Sequence, residues 1–261
     1  MDRKTAGLSL VALIAGILSA MLGIGGGFII IPTLIIFFHY KIREAIVLSL
    51  GTVIFTVIIG ASLNYFFNGE FINWYIISLV ILGSIPGVFI GEFLTRKLNH
   101  NYLVLIFSLV LFFMGLQIVG LFNLSQIGGF NLNSTLWPLL LIGSFTGFMS
   151  GFLGISGGVV LVPALTSLIG IPVTQAIPLS LMATIPIIGM SLYKHARNVK
   201  IDYKELKTMV VAAIFGSIFG VILSFYLNGP AISLIFSFIL IIYSVRLAYQ
   251  SIRELLRLGA N

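Results

Sequence analysis

Residues 21 to 32 read MLGIGGGFIIIP, and four of the five positions from 23 to 27 are glycine. The pattern returns at residues 152 to 163 as FLGISGGVVLVP. A glycine inside a helix costs about 1 kcal/mol relative to alanine and a proline about 3, so neither stretch reads as one uninterrupted helix. A turn at the glycines followed by a new helix leaves the first N–H groups of that helix unpartnered and partially positive. Two such ends facing each other make an anion site without any charged side chain. Glycine also permits positive φ angles and close approach of a ligand to the backbone. The candidate substrate-binding residues are therefore Gly23, Gly25, Gly26 and Gly27 in one copy, and Gly154, Ser156, Gly157 and Gly158 in the other. Helix starts are predicted near Gly26 to Phe28 and near Gly157 to Val159. Pro32 and Pro163, one turn later, are expected to act as structural helix breaks. They release the carbonyls of Phe28 and Val159 for a cation or polar ligand group, or simply mark kinks. Packing is the competing explanation, because Gly23 with Gly27 and Gly154 with Gly158 form GxxxG, a pattern of close helix contacts. Two copies, each in an overlong apolar segment and each followed by proline, favour a functional tip.

Hydroxyls extend the candidate set. Ser49 and Thr52 in LSLGT, and Ser180 and Thr184 in LSLMAT, lie about one turn into the next apolar segment of each copy. Such a hydroxyl bonds either its own helix backbone or a ligand. Ser156 replaces a glycine of the first tip, so the two halves of the site are not chemically equal. Glu92 precedes Arg96 by four residues, which favours an i,i+4 pair; the alternative role is proton carrier for coupled transport. Asn64, His39, His100 and His195 fall near segment ends and are expected at the interface, and the histidines show no metal-like spacing. Arg246 is expected to snorkel to the interface. Trp74, Tyr75, Trp137 and Tyr193 fit an interfacial aromatic belt.

The elements that must position these residues are membrane spans. The 261 residues are 59% hydrophobic and 8% charged, with mean hydropathy +1.17, against about 25% charged residues in a soluble domain. Apolar segments fall at 7–38, 44–67, 72–95, 101–122, 135–169, 173–193, 206–228 and 230–250. The first and fifth contain the glycine breaks. The N-terminus imitates a signal peptide, but its apolar run continues to Phe38 and has a counterpart in mid-chain, so it is expected to remain in the protein. There is no cysteine, which excludes disulfides and thiolate metal sites. No metal or cofactor is expected. The net charge of +7 reports orientation rather than nucleic-acid binding.

The two glycine motifs align at an offset of 131 residues, which also pairs Gly16 with Gly147, Ser19 with Ser150 and Ser49 with Ser180. GSIPG at 83–87 and GSIFG at 216–220 match at an offset of 133. The chain thus divides into repeat 1 (1–122), a linker (123–134) and repeat 2 (135–261), forming one membrane domain. If the overlong segments cross once, the 14 Lys and Arg split 10 to 4 between the two sides; if each dips in and returns, all 14 fall on one side. The positive-inside rule selects the second arrangement and places both termini in the cytoplasm. Residues 7–22 would make about 24 Å of helix and 28–38 about 16 Å, short of a hydrocarbon core of about 30 Å. The expected fold is all-α and polytopic, with two inverted repeats. Each is a glycine-broken re-entrant hairpin, or pair of short helices, plus three transmembrane helices. The tips then meet near the midplane, where inverted-repeat carriers bind substrate.

GIGGGFIIIP and GISGGVVLVP, followed by AIVLSL at 45–50 and AIPLSL at 176–181, resemble the TauE/SafE sulfite exporter family, also called the toluenesulfonate uptake permease family. The resemblance covers essentially the whole chain. It implies a multi-pass carrier of the inner membrane, not an enzyme, for sulfur anions such as sulfite, thiosulfate, sulfonates and sulfoacetate. A loop cysteine pair found in some relatives is impossible here. The expected function is secondary transport of a small anion, with proton or cation coupling open. A passive anion channel of the same fold is the alternative, motivated by the scarcity of buried acids. An intramembrane enzyme ranks low, because no acid pair or Ser-His pair lies deep in an apolar segment.

Overall fold

A computed structural model describes residues 3–68, 73–118, 136–197, 199, 201–224 and 229–259, and every element among these residues is an α-helix. The first half contains α1 (Arg3–Leu22), α2 (Gly27–Phe38), α3 (Ile42–Asn68), α4 (Trp74–Lys97) and α5 (His100–Ile118). The second contains α6 (Leu136–Leu153), α7 (Gly158–Ser167), α8 (Val173–Ala196), α9 (Tyr203–Ser224) and α10 (Gly229–Gly259). Both overlong segments are split where the glycines fall, into α1 with α2 and α6 with α7. Pro32 and Pro163 do not make the breaks: each lies inside its short helix, at the sixth residue. A proline there removes one intrahelical bond close to an end that is already short of them. The predicted linker 123–134 lies outside the described residues.

Among the described residues, six helices, α1, α3, α4, α6, α8 and α9, are long and apolar enough to cross a membrane. The chain is therefore a multi-pass membrane protein. Trp74, Tyr75, Trp137 and Tyr193 are exposed near helix ends, as an aromatic belt requires. Local signals set several ends. The Asn73 side chain accepts bonds from the N–H groups of Tyr75 and Ile76 at the start of α4, and Arg96 and Lys97 close its last turn.

Glycine ridges decide which helices pair. Gly83, Gly87 and Gly91 of α4 lie against the backbone of Leu140, Ser144 and Phe148 of α6, while Gly143, Gly147 and Gly151 lie against Val80, Ser84 and Val88. Residue numbers rise together, so the two helices run parallel. On each of these glycines a Cβ would overlap the facing backbone. The same small-residue packing joins α1 to α9, where Gly16 faces Ala213, Gly216 faces Leu13 and Gly220 faces Ile17. The GSIPG and GSIFG matches are thus interlocking surfaces, each seated on the first helix of the other half.

Other pairs run in opposite directions. Gly60 faces Leu181 and Gly189 faces Ile54, so α3 and α8 are antiparallel. Gly115 faces Ile241, and the Ser251 hydroxyl donates to the Asn101 carbonyl, so α5 and α10 are antiparallel as well. The start of α1 meets the end of α2: a Cβ on Gly7 would stand 2.9 Å from the Phe38 ring. The first helix pair therefore doubles back on itself. Buried Ile46, Leu50, Val53 and Val57 of α3 carry the core between these layers.

Two corrections concern expected interfacial residues. Asn64 is buried, with its amide donating to the Gly60 carbonyl of its own helix. His195 is buried too, with Nε2 2.6 Å from the Gly151 carbonyl. Position along a helix fixes depth but not the face, and both side chains point inward. His39 and His100 are exposed. Arg246 is exposed, with its guanidinium 5.1 Å from the centroid of the Phe37 ring.

Candidate functional site: the crossing of two glycine tips

The α1–α2 turn and the α6–α7 turn touch. A Cβ on Gly158 would stand 2.6 Å from the Gly23 carbonyl oxygen, and one on Gly27 would stand 3.1 Å from that of Gly154. Between these two contacts, a Cβ on Gly25 would overlap the Ser156 hydroxyl. The facing pairs are 23 with 158, 25 with 156 and 27 with 154. The two tips therefore lie side by side in opposite directions, with Gly25 and Ser156 at the centre. Sequence reasoning placed Gly23, Gly25, Gly26, Gly27, Gly154, Ser156, Gly157 and Gly158 at two tips, and the structure brings them together. Residues 23–26 and 154–157 are not helical, so the two GxxxG stretches are not helix–helix seams, but their glycines do serve close backbone approach.

Left-handed backbone explains the turns. Gly23 and Gly25 have φ of 67° and 69°, and Gly154 and Gly157 have φ of 68° and 76°. The second turn thus uses its left-handed residue one position later than the first. Ser156 stands where Gly25 stands, and a side chain disfavours positive φ, so the turn passes to Gly157. New helices begin at Gly27 and Gly158, with Gly26 and Gly157 as N-caps and no side-chain cap. Within them the ladder starts with Ile29 and Ile30 donating to Gly26, and Val160 and Leu161 donating to Gly157. The N–H groups of Gly27 and Gly158 precede that ladder and carry the positive end of each helix.

The hydroxyls divide into two sets. Thr52 donates to Leu48, and Thr184 to Ser180 and Leu181, so both bond their own helices. Ser156 donates to the Ile24 carbonyl at 2.7 Å and Ser180 to the Gly23 carbonyl at 3.1 Å. These two bonds fix the first tip to the second half of the chain. Ser49 occupies the position equivalent to Ser180, and its oxygen lies 3.1 Å from where a Gly27 Cβ would be. It is fully buried, yet it has no hydrogen-bond partner among the described residues. Thr146 is the second orphan: it is fully buried against Gly157, and its hydroxyl is also unpartnered. Leaving a buried hydroxyl unpaired costs about 1–3 kcal/mol. The Ser49 hydroxyl therefore lies at the start of α2, and Thr146 meets Gly157 at the start of α7 through its methyl group.

Thr146 escaped the sequence reading. The available signal was the repeat itself, because the 131-residue offset pairs it with Ala15, which has no hydroxyl. The supports of the second tip escaped as well. The break after Leu153 exposes the last carbonyls of α6. His195 bonds that of Gly151, and Thr95 donates to that of Phe152 at 2.6 Å. Glu92 is buried and accepts a bond from the Arg96 guanidinium, the i,i+4 pairing expected for it.

The family model for "Sulfite exporter TauE/SafE" matches residues 2–118 and 139–259. The chain belongs to the TauE/SafE family. A "Probable membrane transporter protein" of Methanocaldococcus jannaschii is 30% identical over 177 residues, covering 66% of this chain and 65% of that protein. A "Probable membrane transporter protein" of Haemophilus influenzae is 36% identical over 107 residues, or 40% of each chain. The chain thus spans just under two thirds of the first relative and less than half of the second. The Bacillus subtilis "Probable membrane transporter protein YunE" is 23% identical over 268 residues, covering 94% of this chain and 97% of that one. No solved structure matches the chain. The resemblance carried by the duplicated glycine-proline motif thus holds over nearly the whole length, in a family of membrane transporters.

Proposed function

We propose that this TauE/SafE protein is a carrier for a small anion, a sulfur oxyanion or organosulfonate, bound at the crossing of the two glycine tips. The observation that carries the reading is the pair of orphan hydroxyls. Among the described residues the hydroxyls of Ser49, at the start of α2, and of Thr146, whose methyl group meets Gly157, are fully buried and unpartnered. An oxyanion accepts hydrogen bonds from hydroxyls and from helix-start N–H groups at once, which removes the cost of both orphans. No formal charge is needed in the site, and an anion stabilised by neutral dipoles can still be released.

The carrier would be built from two inverted repeats with re-entrant tips and cytoplasmic termini in the cell membrane. Support comes from helix directions. Equivalent helices run antiparallel in the α3–α8 and α5–α10 pairs, whereas α1 with α9 and α4 with α6 are parallel. Two repeats of the same orientation would make the first two pairs parallel. The doubled-back α1 and α2 return Lys4 and Tyr40 to one side, where Lys4 lies 4.8 Å from the centroid of the Tyr40 ring. Rocking one repeat against the other would then open the crossing to each side in turn.

The test is binding to the purified chain, read as thermal stabilisation by sulfite, thiosulfate, sulfoacetate, sulfate and chloride, with Gly157→Leu and Gly26→Leu beside the wild type. Selective stabilisation by a sulfur anion, lost in both variants, is expected. Equal response of the variants and the wild type would remove the site.

A further inference from the structure

A cavity of about 430 Å³ opens where the start of α3 meets the end of α4 and the start of α5. Lys41, Arg43, Arg96, Lys97 and His100 line it, and Glu44 is the one acidic side chain in the lining. We propose that this cavity is a second anion-binding site, distinct from the tip crossing, which receives a tetrahedral oxyanion at the Lys- and Arg-rich face of the protein. The oxyanion is either a free ion or the phosphate of an anionic lipid headgroup.

Three features make it a built site rather than a scatter of surface charge. Arg43 is held in place, because its guanidinium donates to the carbonyls of Thr95, Arg96 and Leu98 at 3.0–3.2 Å. Those bonds neutralise the negative end of α4, which would otherwise repel an anion. Two further cations are uncommitted to acids: neither Lys41 nor Lys97 makes an ion pair among the described residues, and Lys97 stands over the Phe93 ring at 4.4 Å. Finally, His100 lies in the wall beside the first turn of α3, where Glu44 accepts from the Lys41 N–H and offsets part of the helix's positive end. The Ile42 N–H donates to His100 Nδ1, so the neutral imidazole carries its proton on Nε2 and offers it as a donor.

A second cavity of about 270 Å³ shares Glu44 and Val199 with the first and reaches Leu48, the neighbour of Ser49. That second cavity adds Asp202 and Glu205 beside Lys4, so the field that favours an anion belongs to the first. Fields of this kind concentrate counter-ions at a mouth and raise their rate of arrival.

The experiment uses the full chain with Lys41→Gln and Lys97→Gln combined, and Ser49→Ala as the control for the crossing. Sulfate and inorganic phosphate are titrated calorimetrically in neutral detergent at fixed ionic strength. Retention of phosphatidylglycerol against phosphatidylcholine from mixed vesicles is counted by native mass spectrometry. A free-oxyanion site predicts binding weakened about ten-fold by the double variant, the size expected for two partly exposed charge contacts, and retained in Ser49→Ala. A headgroup site predicts unchanged titrations but fewer phosphatidylglycerol molecules on the double variant. Unaltered titrations together with unaltered lipid retention would overturn the proposal. Loss of sulfate binding in Ser49→Ala, with both sulfate binding and lipid retention unaltered in the double variant, would overturn it too, while leaving the crossing intact.

Discussion

The two glycine tips share a scaffold and differ in chemistry. Each breaks a long apolar segment, turns through left-handed glycine and starts a short helix with proline at the sixth residue. The first tip is tied down, with Ser180 on the Gly23 carbonyl and Ser156 on that of Ile24. Around the second, the hydroxyl equivalent to Ser180 is Ser49, which has no hydrogen-bond partner among the described residues. The two halves differ in residue type at Gly25 against Ser156 and at Ala15 against Thr146, whereas Ser49 and Ser180 are the same residue and differ only in their partners.

The largest expected effect comes from forcing the centre. Gly25→Ala adds a methyl group to a left-handed residue and drives it into the Ser156 hydroxyl, which should cost about 3 kcal/mol or more of stability. Adding Ser156→Gly removes the clash but also the Ile24 bond, so the double variant should be less destabilised than the sum of the two single variants. Denaturant unfolding of the three variants checks this, and strictly additive losses would mean that the tips do not meet there. Ser156→Gly alone gives up the bond to Ile24 and adds chain entropy. A loss of about 2 kcal/mol is expected by the same measurement.

A smaller effect is expected at the ends of the first hairpin. The Tyr40 hydroxyl and the Lys4 ammonium both donate to Glu205 of α9, the latter at 2.5 Å. Partial burial and the neighbouring carboxylate hold the Tyr40 hydroxyl above its ordinary pKa, so it stays a donor through the neutral range. Tyr40→Phe removes that donor and leaves the Lys4 pair. A melting-temperature fall corresponding to about 0.5–1 kcal/mol is expected, and a rise would show that the contact strains the hairpin.

Much of this was legible in the chain. The break positions, the helix starts at Gly27 and Gly158 and the halves related by 131 residues all follow from local chemistry and self-comparison. The orphan status of Ser49 was not legible, because Ser49 and Ser180 occupy equivalent LSL stretches and differ only in what the opposite tip presents to them. Nor was the burial of His195, whose partner carbonyl belongs to Gly151, 44 residues away in sequence. The Lys4–Glu205 pair joins residues 201 positions apart. Local patterns specify where a chain turns; which groups end up satisfied depends on neighbours that only packing supplies.

The central claim, that the crossing holds unspent hydroxyls for an anion, is tested most directly by making one substitution in both halves. Ser49→Ala and Ser180→Ala are compared for unfolding free energy and for sulfoacetate and thiosulfate binding. Ser180→Ala should lower stability by about 1 kcal/mol, because a made bond is lost. Ser49→Ala should raise stability by about 1 kcal/mol, because an unmade bond is removed, and should weaken anion binding about ten-fold. Stability changes of the same sign in both variants, with anion binding untouched by Ser49→Ala, would contradict the account.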